Sequence, residues 1–166
     1  KDILSKYLSP PYFPIDFIKE NNVIKFIDFD EIASMYREFN FDKIILNHPG
    51  KASGYSMSIE NKKFCYLLDN EFDASQEREL IQFCKDSHSI IWDGMYTEIE
   101  LEEKKGWGHS SIEQGINFGQ KANSKNLIIS HHSPSRSDEQ LDRIKFKYSG
   151  TNLLIASENE RMKING

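Results

Sequence analysis

The hydrophobic rhythm of this chain first turns from strand-like to helical near Ser75, and that change limits the possible folds more than any other feature. Before it, Lys43-Ile44-Ile45-Leu46-Asn47 is a short β-prone run. Tyr55-Ser56-Met57-Ser58-Ile59 then alternates strictly, and Asn61-Lys62 offers a turn into Phe64-Cys65-Tyr66-Leu67-Leu68. Period-two spacing on both sides of a short turn predicts an antiparallel hairpin. From Ser75 the spacing becomes helical. Ser75 is placed to cap, Glu77 and Glu79 suit the first turn, and Leu80, Ile81, Phe83 and Cys84 form an apolar face. Ser89–Trp92 reads as a buried strand, and a helix begins at Ser110 with Glu113 at the capping-box position and runs toward Ala122. Asn126–Ser130 is a further strand, Ser137 to Phe146 a helix with Gln140 at the capping-box position, and Leu153–Ala156 a last strand. A hairpin followed by alternating strands and helices predicts an α+β domain, one mixed sheet with helices laid on one face.

Upstream, three prolines within Ser9-Pro10-Pro11-Tyr12-Phe13-Pro14 exclude a regular helix or central strand and predict an ordered loop. Val23–Ile27 reads as a strand, and the residues between it and Lys43 as a polar, turn-bearing stretch. A length of 166 residues suits one domain over 1–166. The net charge of −5 argues against a broad phosphate-binding face and favours a small anionic substrate over nucleic acid. No apolar run approaches the roughly 20 residues that cross a bilayer, and Lys1-Asp2-Ile3-Leu4 lacks a signal-peptide core, so a cytoplasmic protein without membrane association is expected. Cys65 and Cys84 are too few for a disulfide framework and read as buried small hydrophobes.

Polar residues capable of chemistry sit just past three apolar strands: His48, Asp69 and His131. Strand ends hold side chains on rigid backbone at a common rim, where a metal site can keep its geometry. Asp69 ends an apolar strand, a costly place for a carboxylate unless it is paired or bound to a cation. Imidazole and carboxylate are ligand types for zinc or manganese, and a carboxylate can bridge two ions about 3.5–4 Å apart.

The order and spacing of several segments resemble the metallo-β-lactamase-fold phosphodiesterases, the group containing the tRNA 3′-processing endoribonuclease RNase Z and cyclic-nucleotide and phosphorylcholine-type esterases. The segments are the Pro-Pro-Tyr-Phe-Pro opening, Leu46-Asn47-His48-Pro49-Gly50, Tyr66-Leu67-Leu68-Asp69-Asn70-Glu71, Trp92-Asp93-Gly94-Met95-Tyr96-Thr97, Gly106-Trp107-Gly108-His109-Ser110-Ser111, and Ser130-His131-His132-Ser133-Pro134-Ser135-Arg136-Ser137-Asp138. The resemblance implies the C-terminal half of an αββα sandwich and a metal-dependent hydrolase that cleaves a phosphodiester with a metal-bridging hydroxide. His48 would ligate one of two divalent ions, zinc or manganese, His131 the other, and Asp69 would bridge them. His109 would contact the phosphate and donate a proton to the leaving oxygen, with a structural role in its loop as the alternative. Asp93 takes a supporting role behind the ligands, or ligates. His132 and His88 are expected outside the site; Trp107, Tyr12, Phe13 and Tyr96 either wall it or pack.

The His-x-His-x-Asp-His loop that gives such enzymes four ligands is not among these residues. The chain is therefore expected to start after that loop, as a truncated product or fragment with partial or no metal occupancy. The competing expectation is a non-catalytic half-fold that forms a homodimer through its exposed sheet face.

Overall fold

The hairpin and the strands after it assemble into one sheet because each places an apolar side chain on the same face at every second residue. The computed structural model describes residues 2–20, 24–149 and 151–162 and divides after Arg37 into two compact units. The first contains three short helices, α1 (Asp2–Tyr7), α2 (Phe17–Glu20) and α3 (Phe29–Met35). The proline segment is the expected loop, closed by Phe17 N–H donating to Leu8 O at 2.8 Å. Two expectations fail in this unit. Residues 24–28 form no strand; Val23 lies outside the described residues. Without a neighbouring strand among the described residues to complete the ladder, β propensity in a short run does not suffice. The stretch read as polar turn contains α3 instead, with Asp30 and Glu31 in its first turn, where carboxylates meet the positive helix end.

The second unit is a six-stranded mixed sheet: β1 (Asp42–Leu46), β2 (Ala52–Ile59), β3 (Lys62–Leu67), β4 (Ser89–Asp93), β5 (Asn126–Ser130) and β6 (Leu153–Ile155), hydrogen-bonded in sequence order. β1, β2 and β3 pair antiparallel, whereas β3 through β6 pair parallel. The β2–β3 turn is Glu60-Asn61, one residue earlier than expected, with φ of 49° and 63°. Positive φ at both central residues matches the twist of a two-residue hairpin. Four helices follow: α4 (Glu77–Cys84), α5 (Glu98–Glu102), α6 (Ile112–Lys121) and α7 (Asp138–Lys147). The α+β class and the mixed sheet with helices are as expected. α5 was not foreseen; Thr97 and Glu100 form its capping box.

Two helix starts shift by a residue because the expected caps are engaged elsewhere. The Ser110 hydroxyl donates to Asn70 O and accepts from Phe72 N–H at 3.1 Å, so Ser111 caps α6 with Gln114 as its reciprocal partner. The Ser75 hydroxyl donates to Asp73 Oδ1, as does its N–H at 2.7 Å, and Gln76 takes the N-cap position of α4 without a side-chain cap. The core lies on the helix-covered face, where Leu67, Trp92, Ile129 and Ile155 line up across four strands with Leu80 and Phe118 above them. Among the described residues no helix is long and apolar enough to cross a membrane.

This topology positions the site. β1 and β3 are both antiparallel to β2 and so run the same way, and β4 and β5 run with β3. The carboxyl ends of β1, β3, β4 and β5 therefore share one edge of the sheet, the edge at which α/β sheets gather ligands.

Candidate metal centre

Four loops meet at that edge. His48 follows β1, Asp69 follows β3, Asp93 ends β4 and His131 follows β5. Asp69 and His131 both hold φ of +57°, in the left-handed region that Asp and His enter more readily than most side-chain-bearing residues. His109 joins them from the loop before α6.

Asp93 organises the centre. It is wholly buried, and its Oδ2 lies 2.9 Å from His109 Nδ1 and 3.2 Å from His131 Nδ1. Asn70 N–H donates to the same oxygen at 3.4 Å, and Met95 N–H to Oδ1 at 3.2 Å. Both imidazoles donate Nδ1–H to this carboxylate in their neutral form, which leaves Nε2 bare. His131 Nε2 lies 3.7 Å from Asp69 Oδ1, and the His109 and His131 ring centroids are 4.9 Å apart. Hydrogen bonding to Asp93 raises the pKa of His131, with Asp93 and Asp69 charges adding to the rise and burial opposing it.

His48 reaches the centre from the hairpin side, its Nε2 3.9 Å from Asp69 Oδ1 and its ring 5.6 Å from that of His109. Its Nδ1 accepts the Gly50 N–H at 3.1 Å, so the neutral ring carries its proton on Nε2. Tyr96 is buried with its ring 6.1 Å from His109 and borders the cluster. Trp107 is 60% exposed. Tyr12 packs at 5.4 Å on Tyr7 and Phe13 at 5.7 Å on Phe17, inside the first unit. His132 sits apart, Nε2 3.3 Å from Ala156 O, and burial lowers its pKa. His88 is half-buried beside Phe64 at the other end of β4.

The donor set fits a divalent cation. Asp69, Asp93, His109 and His131 each offer a ligand atom, all within 4.8 Å of one another. Because the Asp93 oxygens accept from His109, His131, Asn70 and Met95, Asp93 serves better as the brace behind two imidazoles, leaving Asp69 as the available carboxylate. His48, also expected as a ligand, is not among these four, and the sequence motifs that name all of them give no sign of what supports them. Asn70 is buried, and its Oδ1 accepts from Asn47 N–H at 2.9 Å, tying the tip of β3 to that of β1. Asn70, Glu71 and Gly108 lie inside the motifs already singled out, but no periodicity distinguishes them.

This arrangement of sheet and edge defines a metallo-β-lactamase fold. Over 76% of its length the chain resembles the short form of human tRNase Z, with a TM-score of 0.61 and 18% identity. A metallo-β-lactamase fold protein of Bacillus subtilis, YhfI, matches 70% of the chain with a TM-score of 0.56 and 16% identity, and a long-form RNase Z from yeast matches 68% with 0.53 and 22%. The chain covers 44%, 46% and 17% of these three structures, less than half of each. No family model and no curated protein matches it.

Proposed function

We propose that this edge of the sheet belongs to a metal-dependent hydrolase that cleaves a phosphodiester in a small molecule. The carrying observation is that two imidazoles share Asp93 Oδ2 through Nδ1, while Asp69 Oδ1 faces the Nε2 of His131 at 3.7 Å and of His48 at 3.9 Å. His48, Asp69 and His131 would hold the zinc or manganese ions, with Asp69 between them. Bound, the ions would supply positive charge to the phosphoryl oxygens and acidify the attacking water. His109 is the proton donor. In that role it keeps Nδ1 on the Asp93 carboxylate and turns Nε2 toward the departing oxygen. The net charge of −5 favours a small substrate over a long phosphate backbone. Free, buried Cys65 and Cys84 suit a reducing cytoplasm. The test is retention of zinc or manganese after loading and dialysis, measured by elemental analysis, together with hydrolysis of bis-p-nitrophenyl phosphate by the full-length protein. Failure of both rejects the reading.

A second reading has its own observation. The sheet face opposite the core exposes Ile45 at 72% and also Tyr55, Tyr66 and Leu154, an apolar strip across paired strands. Such a strip suits self-association into a homodimer without catalysis. Light scattering decides: a monomer across a wide concentration range removes this reading.

A further inference from the structure

Glu71 is tied to both sides of the cluster while touching none of its ring nitrogens or carboxylates. Its own N–H donates to Asn47 O at 2.8 Å, one residue before His48. Its carboxylate accepts from Gly106 N–H, 2.8 Å to Oε1 and 2.9 Å to Oε2, and from Gly108 N–H at 2.9 Å, one residue before His109. It stands two residues after Asp69. Three members of the cluster are thus each within two positions of an atom that Glu71 holds.

The loop it grips is built for close approach. Gly106 and Gly108 have φ of +86° and +89°, where a side chain is strained, and a Cβ on Gly108 would lie 2.3 Å from His48 Cδ2. The Gly108 backbone therefore rests against the His48 ring, and the same peptide segment delivers His109. Hydrogen bonds from backbone N–H to an ionised carboxylate are the stronger kind. With both oxygens engaged, this carboxylate is occupied as a clamp and not free as a ligand.

We infer that Glu71 is a positioning residue that sets His48 and His109 against one another by clamping the Gly106–Gly108 segment. The inference concerns the cluster for which metal binding is proposed and rests on that reading for its functional meaning, but its test needs neither metal nor turnover. The five histidines of the metal-free protein give imidazole signals in long-range 15N–1H NMR spectra, assignable by single His→Gln variants. In Glu71→Ala the signals of His48 and His109 shift or broaden. His131, held by β5 and Asp93, and His88 and His132, which lie apart, keep theirs. Glu71→Gln retains one acceptor oxygen and moves the same two signals by less. Unmoved His48 and His109 signals in Glu71→Ala overturn the inference, as does an equal change at all five histidines. Should Glu71→Ala not fold, Glu71→Gln decides alone; loss of fold in both by far-UV circular dichroism makes Glu71 a general support of the fold and rejects the positioning role. A protein that never retains metal, yet shows the selective shift, removes the hydrolase reading and keeps the clamp.

Discussion

The two flanks of the candidate centre use the same side chain in opposite states. On the parallel flank His109 and His131 give Nδ1–H to Asp93 and keep Nε2 bare; on the hairpin flank His48 takes the Gly50 N–H on Nδ1 and keeps its proton on Nε2. The first arrangement is ready for a cation or an incoming proton, whereas the second presents a donor toward the Asp69 carboxylate. Ligation through His48 Nε2 requires the proton to move and the Gly50 hydrogen bond to open. Residue type and strand-end location are shared by His48 and His131; the partner of the other ring nitrogen sets what each can do.

Removing the brace is the most severe way to break this contrast. Asp93→Ala strips the partner from two imidazoles and leaves the Asn70 and Met95 N–H groups facing a void. Losing one such supporting partner typically weakens metal binding by about 10–100-fold, and two histidines depend on this one. Stability should fall by about 3 kcal/mol from the unpaired buried groups. Isothermal titration with zinc and urea unfolding measure the two effects. The imidazole signal of His48 should stay in place, and a shift there would show that the flanks are not independent.

The hairpin flank is broken through glycine. Gly108→Ala forces a Cβ into the His48 ring at a strained φ, whereas Gly106→Ala has the same strain with nothing within 4 Å. Strain alone costs on the order of 1–3 kcal/mol. Gly108→Ala should lose more than Gly106→Ala by about 2 kcal/mol, since overpacking adds its own penalty. Equal melting temperatures for the two variants would show that His48 yields freely.

The contrast also marks where sequence reading stops. The strands of the sheet, their hairpin, and His48, Asp69 and His131 at the strand tips were legible, because period-two apolar runs place whatever follows them at the sheet edge. The direction of each imidazole was not, because it depends on Gly50 N–H for one ring and Asp93 for the others, partners up to 38 residues away. Ser110 shows the same limit. Its local pattern signals a helix cap, but contacts to Asn70 and Phe72 claim the hydroxyl and hand the cap to Ser111. Residues 24–27 err the other way, with local propensity for a strand and no strand partner among the described residues.

Asp69→Asn sharpens the comparison with little change in fold. Asp69 has a half-exposed side chain and left-handed backbone that asparagine tolerates, so stability should change by less than about 0.5 kcal/mol. Retention of manganese or zinc should nevertheless drop sharply, since the carboxylate that faces both His48 and His131 loses its charge. Unaltered retention would move the site away from Asp69.

The smallest effect is a pH dependence that reads the Asp93 to His131 hydrogen bond directly. That bond holds the folded-state pKa of His131 above its ordinary value of 6.5, so the folded protein binds this proton more tightly than the unfolded chain. Its contribution to stability is complete below the ordinary value and is lost as pH climbs through the raised one. In metal-free protein, the stability difference between the native chain and His131→Gln should therefore be larger near about pH 5.5 than near about pH 8.5. Urea unfolding at the two pH values measures it. If His131 ligates a metal through Nε2, added metal should reverse the order, because the cation would compete with that proton and bind less tightly as pH falls through the same range. A metal-free difference that instead grows with pH would mean that His131 does not give Nδ1–H to Asp93, and the opposition between the flanks would lose one of its two braced imidazoles.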